Sequence, residues 1–81
     1  MWHVYIVRCA DQTLYTGIAK DLERRIKEHN TSDLGSKYIK PRRPVELAYA
    51  KTFPDRSKAS KEESRIKKLS RQQKLLLIKN A

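Results

Sequence analysis

Residues 2–18 read WHVYIVRCADQTLYTGI and contain two runs of aromatic and β-branched side chains. Residues of this kind are enriched in β-strands, so we expect strands over residues 2–8 and 13–18. The link between them, residues 9–12, is so short that it joins antiparallel neighbours. The chain therefore starts with a predicted β-hairpin.

Beyond the hairpin, the apolar period lengthens to that of a helix. Leu22, Ile26 and His29 lie at i, i+4 and i+7, which places them on one face of a predicted amphipathic helix over residues 20–29. Residues 30–44 show no period and are rich in loop-forming and basic side chains. We expect a long basic loop there, and long ordered loops often carry function.

The remaining segments predict one more strand and two more helices. Residues 45–53 alternate at period two, which is typical of a strand. The expected apolar face of this strand consists of Val45, Leu47, Tyr49 and Phe53. A helical pattern begins at Ser57, and Ser70 with Gln73 matches a capping box, so a second helix should end there and a third should begin and run to Lys79. The second helix should bury Ala59, Ile66 and Leu69, and the third should bury Leu76, Leu77 and Ile78.

These elements follow the order β-β-α-β-α-α. That order predicts an α+β fold in which a small three-stranded antiparallel sheet is flanked by helices. With 81 residues the chain is long enough for one domain, which we expect to span residues 1–81.

The chain carries a net charge of +10, from 19 Lys and Arg against 9 Asp and Glu. The excess is concentrated in two segments, because residues 31–45 carry a net charge of +3 and residues 55–81 one of +6. Such an excess predicts an anionic partner, with nucleic acid ahead of an anionic membrane surface.

Several classes of protein are disfavoured by the sequence. The longest apolar run, residues 75–78, is far shorter than the roughly 20 residues that span a bilayer, and no signal peptide is evident at the start. The single cysteine, Cys9, cannot form an intramolecular disulfide and fits a reducing cytosol. The residues His3, Cys9 and His29 lack the spacing of a zinc site. We therefore expect a cytoplasmic protein that does not bind a membrane.

Two tyrosines are the first candidate site residues. Tyr5 and Tyr15 lie in the two hairpin strands, and the predicted pairing puts both rings on one face of the sheet. For two tyrosines alone, β-prone aromatic residues in a small core are the more common explanation. Gly17, late in the second strand, would let another group approach the backbone closely.

Charged residues on the helices are the next candidates. Arg25 and His29 lie at i and i+4, so they project from one side of the first helix. On the second helix, Glu62 falls near the middle of the apolar stripe and Glu63 at its rim, where a carboxylate can hold a divalent cation. A solvated basic face, and a simple Glu63–Lys67 ion pair, are the plainer explanations.

Four segments occur in the order of the motifs of the GIY-YIG nuclease family, which the chain resembles along most of its length. They are residues 4–6 (VYI), 14–17 (LYTG), 22–29 (LERRIKEH) and 63–67 (ESRIK). The first motif has His3 in place of the expected glycine, and the second has Thr16 in place of isoleucine. The nearest resemblance is to small stand-alone bacterial members. The family also includes homing endonucleases, restriction enzymes and a DNA repair incision subunit.

The resemblance implies a catalytic set of Tyr5, Tyr15, Arg25, His29 and Glu63. It implies that Glu63 holds a single Mg²⁺ or Mn²⁺ ion and that Arg25 binds phosphate oxygens. Tyr5 or Tyr15 would deprotonate the attacking water, helped by positive charge from Arg25, the cation and a protonated His29. The loop residues expected to bind nucleic acid are Lys37, Tyr38, Lys40, Arg42 and Arg43.

Two functions remain open at this point. One is a metal-dependent endonuclease, for which DNA is favoured over RNA as the substrate, acting as a monomer whose target is chosen by a protein partner. The other is a non-catalytic nucleic-acid-binding or accessory module on the same fold.

Overall fold

The computed structural model of the chain describes residues 1–31 and 37–80. The predicted order β-β-α-β-α-α is confirmed, and the central part of the basic loop, residues 32–36, lies outside the described residues. The strands are β1 (Trp2–Arg8), β2 (Leu14–Ala19) and β3 (Glu46–Phe53). The helices are α1 (Leu22–Thr31), α2 (Arg56–Lys67) and α3 (Arg71–Lys79), and a short 3₁₀ turn occupies Lys40–Arg42.

The three strands form an antiparallel sheet in the order β2-β1-β3. In the β1–β2 pairing, Tyr5 lies opposite Gly17 and Val7 lies opposite Tyr15. Directly opposite residues share a face of the sheet, so the expectation that Tyr5 and Tyr15 point the same way is confirmed.

Each face of the sheet has its own core. On one face, Leu22 and Ile26 of α1 pack against a buried cluster. That cluster consists of Tyr5, Val7, Cys9, Ala19, Ile39 and Val45. The other face packs against α2 and α3 through a second cluster, formed by Val4, Ile6, Tyr49, Ala59 and Ile66. The central strand β1 therefore contributes to both cores, and its residues 4–7 are fully buried.

The expected apolar face of the third strand is wrong. Ile6 pairs with Tyr49, but the next residue, Val7, pairs with Leu47, so one extra residue sits in β3. This β-bulge changes which face each following side chain takes. Tyr49 therefore joins the core under α2, whereas Leu47 lies beside Leu22 and Ile26 of α1.

Side-chain caps fix where the helices begin. Asp21 Oδ1 accepts a hydrogen bond from the backbone N–H of Arg24 at 3.1 Å, so α1 begins after Asp21 rather than at residue 20. Asp55 caps α2 in the same way through Lys58. The predicted capping box of α3 is confirmed: Ser70 Oγ accepts from Gln73 N at 3.1 Å, and Gln73 Oε1 accepts from Ser70 N at 2.9 Å.

The third helix covers the sheet only with part of its apolar residues. Leu77 and Ile78 pack against the core beneath α2, as expected. Leu76 is 52% exposed, so its place in the buried face is a wrong prediction. A nine-residue helix at the margin of a small sheet has room to bury one narrow stripe only. No helix within residues 1–31 and 37–80 is long and apolar enough to cross a membrane.

The end of α1 is fastened to the start of β3. The Asn30 side chain donates from Nδ2 to the Val45 carbonyl at 3.0 Å and accepts at Oδ1 from the Val45 N–H at 2.7 Å. His29, one residue earlier, is fully buried against Tyr5. Burial, reinforced by the charge of Arg25, lowers the pKa of His29 to about 4.

The folded state should lose stability when the pH is lowered from about 7 to about 5. The pKa of His29 is about 4 in the folded protein and about 6.5 in a solvated histidine, so the unfolded chain takes up the proton first. Between those values, each pH unit removes up to about 1.4 kcal/mol from the free energy of unfolding. Urea denaturation across this range measures the loss.

His29→Gln removes the titrating ring and should flatten that pH dependence. His3→Gln, at the chain's other histidine, is the control and should keep the wild-type dependence. If both variants titrate like the wild type, His29 does not account for the loss.

Candidate active site

Tyr5 lies on the central strand directly opposite Gly17. A Cβ atom at residue 17 would lie 2.6 Å from Tyr5 Oη and 2.8 Å from its Cζ, which is too close for any side chain. The glycine therefore lets the Tyr5 ring lie across β2, which is an edge strand of the sheet.

The Tyr5 hydroxyl is hydrogen-bonded to a buried histidine. Tyr5 Oη lies 2.8 Å from His29 Nε2, and both side chains are at most 1% exposed. Burial raises the pKa of Tyr5 to about 12, although the adjacent Arg25 opposes this. Since the pKa of His29 is lowered to about 4, both groups are neutral at neutral pH. The expectation that a protonated His29 favours the phenolate is therefore wrong, because the imidazole is buried beside Arg25.

Arg25 of α1 supplies positive charge beside the Tyr5 hydroxyl. Its guanidinium lies within hydrogen-bonding reach of the Tyr5 hydroxyl, and its Nη1 is 3.2 Å from Glu28 Oε1. Arg25 also lines a surface pocket of about 260 Å³, so it is reachable from solvent. Its neighbour Arg24 lines the same pocket, is 74% exposed and pairs with the other carboxylate oxygen of Glu28 at 3.3 Å. The interaction with Tyr5 is what distinguishes Arg25 from Arg24.

The two adjacent glutamates of α2 face different surroundings. Glu62 uses both carboxylate oxygens to bind Arg65, at 2.6 and 2.8 Å, and its charge acts on Tyr49. The charge of Glu63 instead acts on Tyr5 and helps to raise its pKa. The Glu63 side chain is 21% exposed. Helix geometry left both glutamates open, and in the folded chain the charge of Glu63, not that of Glu62, acts on Tyr5.

A row of stacked side chains leads from His29 to the surface. The half-buried Tyr15 meets the His29 ring edge-on, with centroids 5.6 Å apart, and stacks on Tyr38 at 5.7 Å. The Arg42 guanidinium lies 4.0 Å from the centroid of the Tyr38 ring, and its Nε is 3.1 Å from Asp11 Oδ2. Tyr38, predicted to stack on a base, thus already stacks on Tyr15 and remains 40% exposed.

The basic side chains of the loop divide into two kinds. Lys37 and Lys40 are exposed, as nucleic-acid contacts would require. Arg42 donates from Nη1 to the Tyr38 carbonyl at 2.8 Å, and Arg43 donates from Nε to the His29 carbonyl. The two arginines therefore hold the loop against α1 and the stacked row, and both keep part of their surface in solvent.

The partly exposed carboxylate of Glu63 fits a weakly coordinated divalent cation. Residues 1–31 and 37–80 contain no group of three or more His, Cys, Asp or Glu side chains that could enclose a metal. Mg²⁺ keeps several of its waters and is commonly bound through one or two carboxylates together with substrate phosphates. A single, partly exposed carboxylate such as Glu63 suits that kind of binding and does not suit a closed zinc or calcium site.

Asp11 is a member of the site region that the sequence patterns missed. It accepts hydrogen bonds from Thr13 N at 3.1 Å and Thr13 Oγ1 at 2.6 Å, and these lower the pKa of its carboxyl. Its other oxygen pairs with Arg42. In the sequence, Asp11 is typical of a turn, and no local pattern links it to the distant Arg42.

Known proteins with similar sequences cover nearly all of the chain. Residues 1–75 match the GIY-YIG catalytic domain. The chain is 56% identical over 78 residues to a UPF0213 protein of Desulfotalea psychrophila, covering 96% of this chain and 71% of that one. It is 54% identical over 76 residues to a UPF0213 protein of Staphylococcus saprophyticus, covering 94% and 92%.

Two solution NMR structures share the fold. A UPF0213 protein from Bacillus halodurans gives a TM-score of 0.62 at 40% identity, covering 98% of this chain and 84% of that one. A protein from E. faecalis gives 0.65 at 39% identity, covering 96% and 82%. The relatives are small stand-alone proteins of unknown function, while the domain itself implies a nuclease family that interacts with nucleic acid. The chain therefore belongs to the GIY-YIG family.

Proposed function

We propose that the chain is an endonuclease that hydrolyses DNA phosphodiester bonds with one divalent cation, Mg²⁺ or Mn²⁺, held by Glu63. The main support for this proposal is the set of side chains that act on the Tyr5 hydroxyl. The hydroxyl is hydrogen-bonded to His29 at 2.8 Å and lies within hydrogen-bonding reach of Arg25, and the charge of Glu63 acts on it. A buried tyrosine hydroxyl that interacts with a histidine and an arginine, and on which the charge of a carboxylate acts, is more than a small core needs for packing.

Arg25 and Glu63 address the charge of the phosphodiester. The planar guanidinium of Arg25 can bind two non-bridging phosphate oxygens, and its position at the rim of a pocket leaves it accessible to the backbone of a substrate. A cation bound at Glu63 supplies a Lewis acid for the phosphate and the leaving oxygen. Glu28 contacts Arg25 on the same helix and orients its side chain.

We assign the role of proton acceptor to Tyr15 rather than Tyr5. Tyr5 has a pKa of about 12 and an inaccessible ring, so at neutral pH its hydroxyl keeps its own proton and does not take one from water. Tyr15 is half-buried and lies next to the same histidine, where solvent and substrate can reach it. Tyr5 and His29 then position the ring of Tyr15 and the guanidinium of Arg25.

The surroundings of the site support the choice of nucleic acid as substrate. Lys37 and Lys40 are exposed on the loop that packs beside Tyr15, where they would contact phosphates on either side of the cleaved bond. We further propose that the chain acts as a cytoplasmic monomer and that a protein partner selects its target. The small surface left outside the site offers little for base-specific contacts.

Replacing Arg25 or Glu63 should abolish cleavage while leaving the fold intact. We expect Arg25→Gln and Glu63→Gln to lower the single-turnover rate by about 100-fold or more, because each removes charge stabilisation of the transition state. EDTA should have the same effect as Glu63→Gln. Nicking of plain, flap and branched DNA, with matched RNA, measures the rate.

The neighbouring residues provide matched controls for this experiment. Arg24→Gln and Glu62→Gln make the same chemical changes one residue away and should cleave at near wild-type rates. If the wild type binds every substrate and cleaves none with either metal, the chain is a binding module and the proposal is wrong.

Conservative substitutions should identify the proton acceptor. Tyr15→Phe should lower the single-turnover rate by roughly 100-fold or more, because it removes the group that takes the proton. Tyr5→Phe should lower the rate less, since it removes only a hydrogen bond that positions the neighbouring side chains. If Tyr5→Phe costs more than Tyr15→Phe, the role of proton acceptor passes to Tyr5.

A further inference from the structure

Glu63 already has a cationic partner within the protein. Lys67 lies one turn further along α2, and its Nζ is 3.3 Å from Glu63 Oε2. The Lys67 side chain is 55% exposed, whereas that of Glu63 is 21% exposed. The carboxylate is thus partly sheltered, and the ammonium group occupies a position at its oxygen from which it can withdraw into solvent.

The adjacent ion pair on the same helix is built differently. Arg65 holds Glu62 with two of its nitrogens, one on each carboxylate oxygen, at 2.6 and 2.8 Å. Such a two-pronged contact fixes the carboxylate, whereas a lysine is a point charge on a flexible stem. Of the two neighbouring glutamates, Glu63, whose charge acts on Tyr5, therefore has the partner that is easier to displace.

We propose that Lys67 is a displaceable counter-ion, which neutralises Glu63 until a divalent cation binds and then contacts a phosphate of the nucleic acid. The proposal rests on the function proposed above, in which Glu63 holds the cation. It assigns Lys67 as a positioning residue that couples the binding of metal to the binding of substrate.

Electrostatics favours the exchange in this order. Ion pairs at a protein surface are weak and the Lys67 ammonium group is exposed, so a divalent ion could replace it at the carboxylate oxygen at little cost. The displaced ammonium would then be repelled by the ion and attracted by a phosphate of the substrate. A solvent-exposed four-carbon stem allows the ammonium group to move between the two positions without a change in the helix.

A simple helix-stabilising pair predicts different behaviour. At i and i+4, with the glutamate first, such a pair contributes only to helix stability. Removing it would lower thermal stability slightly and would leave the affinity for metal unchanged. The affinity of the protein for metal in the absence of nucleic acid therefore separates the two roles.

Mn²⁺ binding, measured by electron paramagnetic resonance of the free ion, tests whether Lys67 competes with the cation for Glu63. We expect Lys67→Gln to bind Mn²⁺ about two- to five-fold more tightly than the wild type, which is the range for loss of an exposed ion pair. Lys67→Arg should bind it no more tightly than the wild type. Lys68→Gln, which removes the same charge one residue away, should keep the wild-type affinity.

The salt dependence of binding to a plain DNA duplex tests whether Lys67 then contacts a phosphate. The Tyr15→Phe background is used because it suppresses cleavage. With Mn²⁺ present, adding Lys67→Gln should reduce the slope of log affinity against log salt by about one, since one phosphate contact is lost. With EDTA present the slope should not change, because Lys67 then remains on Glu63.

The outcomes distinguish a failure of this proposal from a failure of the function. If Glu63→Gln binds Mn²⁺ as well as the wild type, the cation does not bind at Glu63 and the proposed function is wrong at that point. If Glu63→Gln loses Mn²⁺ while Lys67→Gln and Lys68→Gln have equal affinities, Lys67 does not compete with the cation. An equal change of the salt slope with Mn²⁺ and with EDTA also overturns the proposal.

Discussion

The hydrogen bond between Tyr5 and His29 joins the sheet to α1 at the point where the site residues converge. It exists because Gly17 has no side chain, so the tyrosine ring can lie across the neighbouring strand. It persists because both partners are buried and neutral, which removes the need to desolvate a charge. Arg25 and Tyr15 take their places around this neutral pair, one beside the phenol and the other against the imidazole.

The centre of the site and the rest of the chain differ in charge, and the difference has a physical reason. The protein carries a net charge of +10, yet the buried pair at the centre of the site is uncharged. Around this pair, each carboxylate has a basic partner: Glu28 has Arg25 and Glu63 has Lys67. The excess positive charge lies on exposed side chains, where water solvates it and where an anionic backbone can approach. Under the proposed function, a cation and a phosphate that enter together would bring charges that offset each other.

Local sequence patterns were sufficient for the order of the secondary-structure elements, whereas the choice of candidate site residues came from the resemblance to the family motifs. The hairpin, the cap of Ser70 on the third helix and the side of α1 that carries His29 are all set by residues close in sequence, and each is as predicted. The β3 bulge and the exposure of Leu76 depend on how finished elements fit together, and no short pattern encodes them. The same reason explains why the neutral state of His29 was missed, since burial and not residue type sets its pKa.

The bulge in β3 has a consequence beyond the core. In the described part of the chain, β3 is an edge strand, so its outer N–H and C=O groups face no neighbour in the sheet. An extra residue interrupts the regular spacing of those groups and increases the local twist, which hinders a second strand from pairing along the full length. The extra residue of the bulge, which turns Leu47 toward α1, thus also hinders edge-to-edge aggregation of a small protein whose sheet has an exposed edge strand.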